Sequence, residues 1–175
     1  LAPPQELDAF REFLDRHGLY VFTINGFPYG PFHGVRVKEE VYLPDWLDEA
    51  RLEYTDRLAT LLASLLPLEA GLEGSVSTAP GAFRARVGGD ADVARMADLM
   101  LRHVATLHRI REETGKTIAL ALEPEPRCYL ETVSETVAFF ERWLFSRSAV
   151  SRFADSAGLD RGAAEAALRR HVGAC

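Results

Sequence analysis

The chain has 175 residues, a formal net charge of −6 and only two cysteines, Cys128 and Cys175. One soluble domain spanning 1–175 is expected from that length, and the acidic balance argues against nucleic acid as a general partner. No apolar run reaches the roughly twenty residues of a bilayer span, no basic-then-apolar leader opens the chain, and two thiols make no disulfide framework. A cytoplasmic protein with reduced thiols is the expectation.

In chain order, Leu7, Phe10, Phe13, Leu14 and His17 recur at helical spacing, and Gly18 ends that helix. "LYVFTI", Leu19 to Ile24, reads as a buried strand. Asp45 is the expected N-cap of a helix carrying Leu47, Ala50, Tyr54, Leu58, Leu61, Leu62 and Leu65, which Pro67 stops. Gly74 to Thr78 is a second strand. Asp90 is the expected cap of a third helix with Val93, Met96, Met100, Val104, Leu107 and Ile110, closed by Gly115. Thr117 to Leu122 is a third strand, and Leu130 to Phe145 a fourth helix. Two shorter helices, Ser148 to Ala157 and Asp160 to Arg170, precede a fourth strand in "HVGAC". The pair resembles a helix-turn-helix, but its mixed charge and alanine-rich face suit a crossover packed on a sheet.

Helix–strand alternation with fully apolar strands such as "IALAL" points to an α/β fold with a parallel sheet. Four strands are half of an eight-stranded α/β barrel, so the chain reads as a partial barrel cut off at its C-terminus. Ligands of parallel α/β folds bind where the strands' C-terminal ends gather. On that geometry Asn25, Thr78 and Glu123 are expected to face one mouth.

Glu123 ends the apolar run of "TIALALEPEP" and is the leading candidate for a metal ligand or general base. Glu125, between Pro124 and Pro126, is a candidate substrate contact or a solvated loop acid. The long segment after Ile24 is rich in aromatics, and "VRVKEEVYL" within it could fold as a hairpin. Gly26 and Gly30 offer turns that bring His33 to the mouth, as metal ligand, proton shuttle or packed loop histidine. Asn25 either binds a polar ligand or serves the turn before Gly26. His103 and His108, five apart, do not make a one-face metal pair and are expected at the solvated rim. Cys128 is expected to be a packed thiol. Arg84 and Arg86 could hold an anion or be ordinary surface charges.

"FTINGFPYGPFHGVRVKEEVYLPDW", "RLEYTDRLATLLASLLP", "GSVSTAPGAF", "LALEPEPRCYLET" and "RRHVGAC" together resemble the EboE family, metabolite-traffic proteins of the xylose isomerase-like TIM-barrel superfamily. The resemblance runs nearly the full chain. It implies a partial TIM (β/α)8 barrel in which the strand at Leu19 is the second of the barrel. It implies that Glu123 stands where the superfamily's fourth strand delivers a metal-ligating glutamate. Glu123 and His33 would then act in catalysis, with Asn25, Tyr29, Thr78 and Glu125 at the substrate. The implied cofactor is a divalent cation (Zn, Mn or Mg), bound tightly only in the intact protein, because the following Asp-x-x-His motif is not in this chain. The implied partners are a small-molecule metabolite and proteins of the same biosynthetic pathway. The alternatives are a non-catalytic carrier barrel and a metal-dependent apurinic endonuclease.

Overall fold

The computed structural model describes residues 4–29, 41–69 and 71–175. His33, Gly30 and most of the expected hairpin lie outside these. The elements are α1 (Pro4–His17), β1 (Thr23–Asn25), α2 (Glu49–Leu65), β2 (Glu73–Thr78), α3 (Asp90–Thr114), β3 (Thr117–Leu122), α4 (Val133–Phe139), α5 (Arg147–Ala157), α6 (Arg161–His171) and β4 (Val172–Ala174). The strands form one parallel sheet in the order β1-β2-β3-β4. The architecture is therefore α/β, a four-stranded parallel sheet with flanking helices.

Side chains alternate across a strand, so register assigns them to faces. Asn25, Ser77, Ala121 and Gly173 stand in one row, and Thr78, Leu122 and Ala174 in the next. Val76, Ile118, Leu120 and Leu122 are fully buried against the helices. They share the core with Leu62 of α2, Met96, Met100 and Leu107 of α3, and Leu168 of α6. Ser75, Ser77, Ala119 and Ala121 point the other way and are only half-buried. The second face is thus small and polar, and no described helix covers it. Its neighbours Thr23 and Ser75 share a 2.9 Å hydroxyl contact.

Several expected boundaries move. β1 is confined to Thr23–Asn25, although the Phe22 carbonyl already accepts from Ser75 N at 2.9 Å. Asp45 does not cap α2; that position is Asp48. Asp45 is instead buried, and one carboxylate oxygen accepts from Leu47 N at 3.0 Å in a local turn. Asp90 lies inside the first turn of α3, where its charge suits the helix dipole, and the capping position is Gly89. Gly115 does close α3, in the left-handed conformation. The fourth helix starts at Val133, because Thr132 and Glu135 form a reciprocal capping box, and Phe140–Leu144 continues it as a π-helical turn. The α5–α6 pair packs on α3 and β3, burying Ala164, Ala167 and Leu168, so it is a crossover. Among the described residues no helix is long and apolar enough to cross a membrane.

Candidate functional site

The loops after β1, β2 and β3 meet at the C-terminal ends of the strands. Glu123 continues the ladder, its N–H donating to Thr78 O at 3.1 Å. Its side chain follows Ala121 by two residues and so belongs to the open face, with Ser77 and Asn25. Two of the three residues expected at the mouth therefore share a face there. Thr78 does not. It is fully buried on the helix side, and its hydroxyl accepts from the indole N–H of Trp46 at 3.1 Å. A one-residue step reverses a strand side chain, and Thr78 stands one step from Ser77. Ser77 is the residue of β2 that faces the mouth, and period-two counting from Val76 could have found it.

Asn25 is spent locally. Its carboxamide oxygen accepts from Phe27 N at 3.0 Å, with the Ser77 hydroxyl at 3.5 Å. Of the two sequence readings, this is the turn-forming one. Gly26 is required for close approach rather than for an unusual dihedral: a Cβ there would lie 2.7 Å from Leu58 Cδ1 and 2.8 Å from the Ser77 carbonyl. Tyr29 turns away from the strand ends. Its ring meets Tyr54 edge-on at 4.9 Å, in a shallow groove with Ala50, Glu53 and Arg57 on the outer flank of α2. The contacts recorded for Tyr29 are thus with α2 rather than with Glu123.

Beside Glu123 stands Glu125. Burial pushes the Glu125 carboxyl above the usual range, and the negative charge of Glu123 adds to the effect. Cys175 is raised as well, by burial and then by Glu123. Cys128 is fully buried, and its thiol is pushed up to about 11 by burial and the charge of Glu125. It is a packed, protonated thiol, as expected. Tyr42, pushed up to about 12 by burial and then Cys128 and Glu125, completes this string.

The loops are tied together by stacking and by backbone bonds. Phe27 meets Tyr42 edge-on at 5.6 Å, Tyr42 stacks on Phe83 at 5.7 Å, and the Arg127 guanidinium lies 5.4 Å from the Phe83 ring centre. This column runs through all three loops. Arg84 N donates to Arg127 O, Tyr129 N to Ala82 O and Leu130 N to Pro80 O. Glu125 and Cys128 close a turn with Pro126 and Arg127 between them, and Arg127 takes φ = 68°. Proline followed by a positive φ identifies a type II turn.

Two arginines singled out in the sequence are internally paired. Arg84 bridges Glu135 at 2.8 Å and Glu131 at 3.5 Å, and Arg86 lies 3.2 Å from Asp45. The pairing with Arg84 and the Thr132 cap hold the Glu135 carboxyl down at about 2.

Sequence reasoning missed Arg51. This side chain is fully buried and donates to three carbonyls: Pro44 at 2.6 Å, Gly26 at 2.7 Å and Phe27 at 3.1 Å. It gathers both described ends of the first loop onto α2. The signal was present: Arg51 lies four residues after Leu47 and before Thr55, on the apolar face. His103 was placed at the rim but is fully buried, with Nδ1 2.5 Å from Asp56 Oδ1. His108 is half-buried, its ring 6.3 Å from that of buried His171.

The chain matches no protein-family model, and no curated protein matches it. Chemically, the mouth offers two adjacent carboxylates, and that of Glu125 is pushed above its usual range. Such a pair can accept hydrogen bonds from hydroxyls, move a proton, or lend oxygen ligands to a hard cation. Among the described residues no group of three or more His, Cys, Asp and Glu side chains is placed to hold a metal ion. Two carboxylates such as Glu123 and Glu125 could supply at most part of a coordination shell.

Proposed function

We propose that the chain is part of an EboE-like protein, serving the biosynthesis or traffic of a small metabolite through a sugar isomerase/epimerase-like TIM barrel in the cytoplasm. The observation carrying this reading is that Glu123 leaves the end of β3 on the open face, beside Asn25 and Ser77. That face is the one a closed barrel would line with ligand-contacting groups. In this reading Glu123 is an oxygen ligand for a divalent cation (Zn, Mn or Mg), a group that polarises hydroxy-carbonyl substrates. The chain supplies only part of the shell, so no reaction step is derived through it. Glu125, its carboxyl pushed above the usual range by burial and by the charge of Glu123, stands next to the ligand position, and His33 remains the candidate base of the first loop. Pathway proteins are the proposed partners.

Manganese titration of the wild type and of Glu123→Gln, read by the loss of free-ion EPR signal, tests the assignment. The expected result is weak binding by the wild type and about tenfold weaker binding by the variant. Equal affinities would remove Glu123 from the site and leave the carrier barrel as the better reading.

A further inference from the structure

A cleft of about 210 Å³ lies between the β2–α3 connection and α4. Its walls come from consecutive elements inside the described sheet, not from either edge of it. Buried Leu130 and Phe139, half-buried Tyr129 and Trp143, and the guanidinium groups of Arg84 and Arg142 line it. Arg142 and Trp143 belong to the π-helical turn Phe140–Leu144, a rare conformation that recurs at functional sites. Ion pairs fix the rim. Arg84 joins Glu135 and Glu131 at the start of α4, and Arg142 joins Asp90 in the first turn of α3.

We propose that this cleft binds an uncharged, hydroxyl-bearing ring the size of one monosaccharide, at a site separate from the strand-end mouth and independent of Glu123. Four properties select that class. First, the spare polar groups are donors. Each guanidinium spends only Nη2 on its closest carboxylate, leaving Nε and Nη1. The Tyr129 hydroxyl and the Trp143 indole N–H have no protein partner among the described residues. Glu135 is the reverse: Oε1 accepts from Arg84, and Oε2 from the N–H groups of Glu131 and Thr132. A ligand must therefore bring oxygen acceptors. Second, the rim sets two arginines against three carboxylates, so an anion gains no net attraction there, and a cation meets the guanidiniums. Third, Tyr129, Phe139 and Trp143 give ring surface suited to the C–H face of a saturated ring. Fourth, the volume lies below the roughly 300 Å³ of a drug-sized pocket, which leaves room for a single substituted ring.

The test uses D-glucose as the probe and the indole N–H signals of the two tryptophans in a ¹H–¹⁵N spectrum as the readout. Trp143 lines the cleft, whereas Trp46 is fully buried and donates to Thr78. The expected result is a saturable shift of the Trp143 signal with a Kd on the order of 1–10 mM, and a stationary Trp46 signal. Ala138 is exposed and lines the cleft, so Ala138→Phe fills it from the solvent side. That variant should bind at least about tenfold more weakly with unchanged far-UV circular dichroism. Arg142→Ala, also at an exposed position, should weaken binding several-fold by removing two spare donors. Glu123→Gln should leave the glucose titration as it is. No shift of Trp143 up to about 50 mM glucose, a shift indifferent to both cleft variants, or tighter saturation by benzoate would overturn the proposal. So would a shift lost in Glu123→Gln, which would assign the sugar to the mouth. Manganese binding is read separately, so either site can fail without the other.

Discussion

At the scale of single residues, the first loop depends on one buried cation. Arg51 has no carboxylate within bonding distance among the described residues; its Nε, Nη1 and Nη2 each donate to one main-chain carbonyl, and its guanidinium lies 5.6 Å from the Tyr54 ring centre. Burial lowers its pKa from the ordinary guanidinium value, but a group that titrates so high stays charged at any working pH. Arg51→Met would leave the carbonyls of Pro44, Gly26 and Phe27 without donors in a dry setting. The expected loss is about 3–5 kcal/mol, measured as a drop in the urea midpoint. Arg51→Lys should recover only part of it, since an ammonium cannot span the three acceptors. A loss below about 1 kcal/mol for Met would show that the carbonyls find water instead.

At the scale of elements, the turn from Glu125 to Cys128 carries a cost. Its third residue, Arg127, adopts a left-handed backbone that glycine takes freely and a branched side chain resists. Arg127→Gly relieves that and forfeits an exposed contact with Phe83, so stability should hold or rise by up to about 1 kcal/mol. Thermal denaturation gives the answer, and a fall of similar size would mean that the guanidinium anchors the turn more than the backbone strains it. The elements themselves were readable in the sequence. Apolar periodicity located β2, α3 and β3, and Gly115 and Asp160 marked a helix end and a helix start as expected. Boundaries failed where local hydrogen bonding overrode the pattern. Asp45 and Asp48 are both plausible caps, and only the burial of Asp45 against Arg86 separates them. The Thr132–Glu135 box was legible and was overlooked. At the candidate site, Glu123 could be found because it ends an apolar run. The inward turn of Thr78 and the outward turn of Tyr29 depend on parity and on α2, which residue type alone does not reveal.

At the scale of the whole molecule, acid should act through His171. The ring is fully buried, with Nδ1 2.7 Å from Ile118 O, which fixes the proton there, and Nε2 has no partner among the described residues. Burial, with Arg170, His108 and Arg111 nearby, lowers its pKa from 6.5 to about 4. The unfolded chain therefore binds this proton first. Stability is complete above about pH 6.5 and is lost as the pH falls toward 4, by on the order of 3 kcal/mol. Asp45 and Glu125, whose carboxyls are pushed up, act in the opposite sense nearer their own range. The measurement is therefore a comparison of urea midpoints at pH 7 and 4.5 in the wild type and His171→Asn, which keeps a donor for Ile118 O and cannot titrate. The wild type should lose more; parallel curves would assign the acid sensitivity elsewhere.

The ring column from Phe27 through Tyr42 and Phe83 to Arg127 has a consequence for how this surface could diversify. Loops on a parallel sheet ordinarily vary one at a time, each hung from its own strand. Here a change of length or of aromatic character in one connection unseats the stack shared by the other two. Specificity at this rim would thus evolve in concerted steps, or at the outward residues that the column leaves free.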